Sequence, residues 1–292
     1  MLKKYFSQIF EDFLLQLHLT PEEQAYYKRM KYLISVGIIR IVVDNPNDPK
    51  VFLGYYKKNR EIFLNFIYIR DDENWKFQAE VALLKLMTVI PKSIRKINVE
   101  SAIINDENRL LSVFQEQGFN IDVRHMLERK IDDIQHVQLP KGFSFINYES
   151  KLHYQFIKAF FDAFRNSPEV HIYPELNNLT RTSQLIEDKM LSDRLIAKGL
   201  IFGIEKDNRI VGIAMLKSEF NKGFVNAIGV IPQYRSMGLG KALMYESLRR
   251  LKANGFSEVR LAVTCSNKRA YSLYQSMGFS KVLAFLKGYR YI

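Results

Sequence analysis

The chain is poor in cysteine, tryptophan and uninterrupted apolar sequence. Cys265 is the one cysteine among 292 residues. An intrachain disulfide is therefore impossible, and a reducing compartment, the cytoplasm, is expected. No stretch reaches the ~18 apolar residues a membrane helix needs, so no membrane partner is expected. The amino-terminal segment MLKKYFSQIFEDFLLQLHL has Glu11 and Asp12 inside its apolar run. That interruption argues against a signal peptide and for an amphipathic, core-facing helix. With 14 glycines and 8 prolines, collagen-like and low-complexity structure is excluded. What is present is ordinary globular material, 47% hydrophobic and 25% charged. At ~150 residues per domain the length suggests two domains.

Acidic residues are scarce in one half only. Residues 1–140 hold 20 Lys and Arg against 19 Asp and Glu, whereas residues 141–292 hold 23 against 12. The basic excess therefore belongs to the second half, where it raises the local concentration of anions such as phosphates. Its cations are scattered and not interleaved with aromatics in one cluster. This weighs against a nucleic-acid partner without excluding one.

The polar stretch DDIQHVQLPKG, residues 132–142, marks a seam between domains expected at 1–135 and 141–292. After it, FSFINYE reads as a strand, HYQFIKAFFDAFRNS as an amphipathic helix, and NNLTRTSQLIEDKMLSDRL as a second helix capped by Asn or Thr. GLIFGIE, RIVGIAMLKSE and FVNAIGVI form a meander with hairpin turns. GKALMYESLRRLKANG is a helix stopped by Gly255, EVRLAVTC a strand, KRAYSLYQSMG a short helix, and FSKVLAFLKGYRYI a last strand. In the first half, helices are expected at 3–17 and 21–34. Strands follow in IIRIVVDN, VFLGYYKK and EIFLNFIYI, then a helix in NWKFQAEVALLKLM, a strand in KINVES, a helix in ENRLLSVFQEQG and a strand in FNIDVRHMLERKI. The order largely repeats, and LSVFQEQGF (111–119) aligns without gaps on YSLYQSMGF (271–279). An internal duplication is the simplest explanation.

One turn stands out chemically. A strand ends at Pro232, a loop carries Arg235, Gly238 and Gly240, and a helix begins near Gly240. The first turn of a helix offers unbonded N–H groups and the positive dipole end, and glycines let an anion approach the backbone. This is a pyrophosphate cradle. A Walker A loop fits worse, since Arg235 and Ala242 occupy its first Gly and its Ser/Thr positions. So does a dinucleotide fingerprint, whose third small residue is here Leu243.

RSMGLG, residues 235–240, resembles the Arg/Gln-x-x-Gly-x-Gly/Ala motif of the GNAT superfamily of acyl-CoA N-acyltransferases. Asn267, Ala270, Tyr274, Gly278 and Phe279 are similar to the family's closing signature. The likeness covers residues 143–292. It implies an α/β fold with two tandem GNAT-like domains, each a mixed, largely antiparallel sheet flanked by helices. It implies acetyl-CoA as cosubstrate and no metal. Backbone N–H groups of Arg235, Ser236, Met237, Gly238, Leu239, Gly240 and Lys241 would hold the pyrophosphate. The edge at Ile228, Gly229 and Val230 would pair with the pantetheine arm, and Asn267 would contact the CoA arm.

Acetyl transfer to an amine needs a proton removed, an oxyanion stabilised and a thiolate released. Tyr274, a phenol with a pKa near 10, suits the departing thiolate, although Tyr271 lies three residues earlier. A backbone N–H near Ile228–Val230 is the expected oxyanion donor. Many family members carry a Glu on the strand before the Arg motif. Here Gly223–Gly229 has no carboxylate. Glu219 through water, Asn226 positioning a water, or an amine arriving already deprotonated remain the options. His171 and Glu175, in EVHIYPELNN, are expected to be ordinary loop residues that border the acceptor at most. Cys265 has no evident base beside it and reads as a small buried hydrophobe.

In the first half Phe114 stands where Tyr274 stands, Glu107 where Asn267 stands, and RDDENWKF replaces the glycine loop. That half is expected to be a degenerate copy without CoA. The whole reads as an N-acetyltransferase with a small-molecule or peptide amine acceptor. A CoA-binding or partner-binding module without turnover, or a tRNA- or ribosome-associated acyltransferase, is the alternative.

Overall fold

The computed structural model describes residues 21–69, 73–103, 107–132, 134–135, 137–189 and 191–292. The helix expected at 3–17 lies outside them. The chain divides into two compact units, residues 1–123 with 284–292, and residues 124–283. The expected seam at 132–142 falls inside the second unit. Among the described residues no helix is long and apolar enough to cross a membrane.

In the first unit helix α1 (Pro21–Ser35) precedes strands β1 (Arg40–Val43), β2 (Val51–Lys58) and β3 (Glu61–Ile69). Helix α2 (Trp75–Val89) leads to β4 (Lys96–Ile103), and α3 (Glu107–Glu116) to β5 (Asn120–Lys130). β1, β2 and β3 run antiparallel, and β3 and β4 are parallel, as a helical crossover requires. On β4 the chain's last strand pairs antiparallel, from Phe285 to Tyr291. Phe52, Phe66, Ile62, Leu64, Leu86 and Val99 fill this unit's core.

The second unit takes residues 124–130 of β5 and adds β6 (Phe143–Asn147), α4 (His153–Phe164), α5 (Leu179–Lys189), α6 (Asp193–Ala197), β7 (Ile201–Lys206), β8 (Arg209–Glu219) and β9 (Lys222–Val230). Helix α7 (Leu239–Ala253), β10 (Glu258–Thr264), α8 (Lys268–Ser276) and β11 (Ser280–Tyr291) close the chain. β7 to β9 form the expected antiparallel meander, and β6 pairs antiparallel with β7. β10 lies parallel to β9 and antiparallel to β5. α4 and α7 both pack on β8 and β9. Their apolar stripes, Phe156, Ile157 and Phe160 on α4 and Leu243, Met244, Leu248 and Leu251 on α7, are buried.

The single helix expected over 177–195 is two. Ser192 is extended (φ −158°, ψ 148°) and its hydroxyl accepts from the Leu195 N–H, so a new N-cap interrupts the pattern. Asn178 caps the first of the two, as expected, accepting from the Arg181 N–H at 3.1 Å. The aligned endings share one geometry. Gly118 and Gly278 have φ of +78° and +81°, and Phe119 and Phe279 donate back to Phe114 and Tyr274 at 3.0 and 3.1 Å. Rings 114 and 119 meet edge-on at 5.0 Å, and rings 274 and 279 are tilted at 6.0 Å. Local form thus follows the sequence repeat, with a phenyl in one copy where the other has a phenol.

Candidate active site

The site begins with a parting of two strands. β9 and β10 pair at Gly223, Phe224 and Val225, and the pairing stops there. On the β8 side the ladder continues to Val230, with a register shift that leaves Asn226 as the extra residue of a bulge. From Asn226 to Val230 the strand is half-buried and lacks a β10 partner. Such an edge can accept an extended ligand as an added strand. Gly229 fits it closely to α4, since a Cβ there would lie 2.8 Å from the Phe164 ring and 2.9 Å from the Ala163 Cβ.

The loop after β9 is held from beneath. Arg235 Nε donates to the Val230 carbonyl at 3.1 Å, and Nη2 to the Ala163 carbonyl at 2.8 Å. Ala163 lies in the last turn of α4, whose carbonyls lack helical partners. Burial, and then the neighbouring Arg269, hold the Arg235 guanidinium below its ordinary pKa. Its backbone N–H donates to Pro232 at 3.2 Å. Arg235 is thus an anchor of the loop, and the expected cradle narrows to Ser236–Lys241. Ser236 (φ +66°) and Gly238 (φ +79°) are left-handed, and Gly238 is the N-cap of α7. The helix's first bond runs from Ala242 N to Gly238 O. The N–H groups of Leu239, Gly240 and Lys241 precede it and point toward the amino end. Leu239 is buried, and Met237 is exposed.

α8 starts beyond the end of β10, on the side where β9 stands apart. Its N-cap is Asn267, whose Oδ1 accepts from the Ala270 N–H at 3.2 Å and whose Nδ2 donates to Glu169 Oε1 at 2.8 Å. The side chain expected on a CoA arm thus caps a helix and holds a carboxylate. Tyr274, seven residues and about two turns further, is buried. Burial first, then the Glu169 carboxylate, raise its pKa well above the usual phenol value, against an opposing pull from Arg124. A phenol so placed stays protonated at neutral pH. The competing Tyr271 is engaged, its hydroxyl 2.8 Å from His125 Nδ1.

Glu219 is not brought to this end. It pairs with Lys222 at the β8–β9 hairpin and bridges Lys217 at 3.3 Å. Six residues of extended chain, about 20 Å, separate that level from Ile228. Asn226 lies where the strands part. His171 is exposed, Glu175 and Cys265 are half-buried, and Thr182 Oγ1 caps the Glu175 carbonyl at 3.0 Å. Sequence reasoning missed Glu169. It belongs to the quoted stretch EVHIYPELNN, but its bond to Asn267 spans 98 residues, which no local pattern announces. Among the described residues no group of three His, Cys, Asp or Glu is arranged to hold a metal ion.

Residues 158–279 match the sequence model of the acetyltransferase (GNAT) family. Over that segment, less than half of its length, the chain is similar to the GNAT acetyltransferases. A mycothiol acetyltransferase of Paenarthrobacter aurescens is 28% identical over 120 residues, covering 39% of this chain and 36% of that protein. One from Streptomyces griseus is 34% identical over 110 residues, covering 37% and 35%. An N-alpha-acetyltransferase of Sulfurisphaera tokodaii is 35% identical over 94 residues, covering 28% and 56%. The matched segment thus spans about a third of the mycothiol acetyltransferases. Among solved structures, a GCN5-related N-acetyltransferase from Sphaerobacter thermophilus superposes with a TM-score of 0.55 at 16% identity, covering 86% of this chain and 79% of that one. A conserved protein from Staphylococcus epidermidis gives 0.57 at 14%, covering 88% and 96%. At these identities the shared property is the GNAT fold.

Proposed function

We propose that this protein is a cytoplasmic N-acetyltransferase that moves an acetyl group from acetyl-CoA to an amine by direct attack. CoA would bind in the second unit. One observation carries the reading: a free strand edge, Asn226–Val230, runs into a left-handed glycine that opens a helix, and a buried tyrosine stands at the same end. The cradle fits a diphosphate, because a Cβ at Gly238 would meet nothing within 4 Å and open space lies before the helix. Ser236 to Lys241 would hold the diphosphate, and Ile228 to Val230 the pantetheine amides. Acetyl-CoA supplies the activated acyl group. Tyr274 would protonate the leaving sulfur, and a β9 N–H would stabilise the oxyanion.

The acceptor would be a small-molecule or peptide amine. Names of the relatives support both kinds, since mycothiol acetyltransferases and an N-alpha-acetyltransferase align with the same segment. We propose that the sequence domain 1–135 is a degenerate copy that binds no CoA, since Phe114 offers no hydroxyl. The absence of a carboxylate between Gly223 and Gly229 favours, as a second reading, a CoA-binding module without turnover. Thiol release from acetyl-CoA in an amine screen decides between them. Turnover that Tyr274→Phe removes supports the enzyme, and CoA binding with no turnover supports the module.

A further inference from the structure

We propose that Glu169 is the catalytic base of this site, taking the proton of the incoming amine on its Oε2 atom. The inference rests on the acetyltransfer reading and supplies the base that β9 lacks.

Glu169 is rigidly placed. It lies in the one-turn 3-10 helix Pro168–His171, and its carbonyl accepts from the N–H groups of Ile172 and Tyr173 at 3.0 and 2.8 Å. Ile172 and Leu176 are buried and tie this segment to the core. One carboxylate oxygen, Oε1, accepts from Asn267 Nδ2 at 2.8 Å. The other, Oε2, is shielded from water and has no hydrogen-bond donor among the described residues. A shielded carboxylate oxygen without a donor is unfavourable. Such an atom persists where the molecule that satisfies it comes and goes, and an amine N–H is the donor this site would receive.

The position is also right for the chemistry. Asn267 opens the helix that carries Tyr274, and the Glu169 carboxylate acts electrostatically on the Tyr274 phenol. Base and acid therefore stand on one corner. The other charged group acting on that phenol is Arg124, which donates from Nη1 to the Tyr173 hydroxyl at 2.6 Å and from Nη2 to the Ala262 carbonyl at 2.7 Å. On the Glu169 segment itself the neighbouring titratable groups are His171, Tyr173 and Glu175.

The step balances as follows. The ammonium gives one proton to Glu169, so an N–H bond breaks and an O–H bond forms. The freed nitrogen lone pair attacks the thioester carbonyl carbon, forming the C–N bond and moving the carbonyl pair onto oxygen. Collapse breaks the C–S bond. The sulfur takes the Tyr274 proton, the phenolate recovers one from the amide nitrogen, and Glu169 returns its proton to solvent. Amide, CoA thiol and one proton result.

Glu169→Gln tests this, because a Gln oxygen still accepts from Asn267. Thiol release from acetyl-CoA would be followed from pH 6 to 10 with glucosamine, lysine and an alanine-initiated tripeptide. Calorimetry with CoA would run in parallel. The expected result is a fall in kcat/KM of about 100-fold near neutral pH, in the range of lost general-base catalysis. The deficit should shrink as pH approaches the amine's own pKa, and Glu169→Asp should recover part of the rate. CoA affinity should stay within about threefold of wild type. Unchanged kcat/KM at all pH values would overturn the proposal. So would a loss of CoA affinity equal to the loss of rate, which would mark a structural role. A wild-type protein that releases no thiol to any amine or to water would instead overturn the acetyltransfer reading on which this rests.

Discussion

Replacing Gly238 with Asp probes the anion cradle with little disturbance of the fold. The site has φ +79° and open space around the missing Cβ. Folding is charged only with left-handed backbone, about 1 kcal/mol, and Asp tolerates that region better than most residues. A carboxylate ahead of α7 also interacts favourably with the positive helix end, by about 0.5 kcal/mol. The melting temperature should therefore move by no more than about 4 °C. Binding responds differently. A carboxylate about 5 Å from a phosphate charge is repelled by roughly 1–3 kcal/mol at effective dielectric constants from water-like to surface-like. The diphosphate carries two such charges, so CoA affinity should fall by at least about 2 kcal/mol, roughly 30-fold. Gly238→Ala adds the same backbone penalty without charge and should cost only about threefold. Pantetheine, which has no diphosphate, should bind both variants alike. Calorimetry with CoA and pantetheine, beside thermal melts, reads all of these. A Gly238→Asp protein that melts normally and binds CoA as wild type does would refute the assignment of the diphosphate to this helix end.

Tyr274→Phe should lower kcat by about 100-fold or more with CoA affinity nearly unchanged. Tyr271→Phe, which loses the His125 bond, should cost about 1 kcal/mol of stability and little rate; steady-state kinetics and melts separate the two. Gly229→Ala forces a methyl against Ala163 and Phe164 and should destabilise the fold by about 1–3 kcal/mol in urea titrations. Burial opposes ionisation of Glu246, but hydrogen bonds from Arg249 and Arg250 outweigh it and hold its carboxyl below the ordinary 4.5. A depressed carboxyl stabilises the fold fully above that ordinary value and loses the effect as pH falls through the folded one. Glu246→Gln should therefore be less stable near pH 7, by about 1–3 kcal/mol, and converge on wild type in acid, which denaturant melts at several pH values would reveal.

The periodic parts of the fold were legible because periodicity is local. β2 and β3 lie where their sequences place them, and the buried stripe of α7 is the one its spacing marks. The glycine-led start of α7 was legible too, since Gly238 and the first turn of that helix are neighbours in the chain. Arg235 was read only through its backbone. Its side chain reaches a carbonyl 72 residues earlier, and such a bond leaves no trace in spacing. The break at Ser192 was hidden by helix-forming residues on both sides, and one capping hydroxyl decided it. Glu219 drew attention by sequence proximity to β9, but antiparallel pairing sends it to the wrong end of the strand. Glu169 stayed unseen for the converse reason, because two short turns return it to a helix nearly a hundred residues away.

The last nine residues belong to the first unit, and Arg124–Lys130 to the second. A cut near residue 140 would therefore yield no self-sufficient half. The leading fragment would lack the segment that pairs with β4, and the trailing fragment the one that pairs with β10. Each would expose a raw strand edge prone to aggregation. Deleting the carboxy terminus, an innocuous trim in many proteins, would here damage the first unit and leave the second unit's strands β6 to β10 in place.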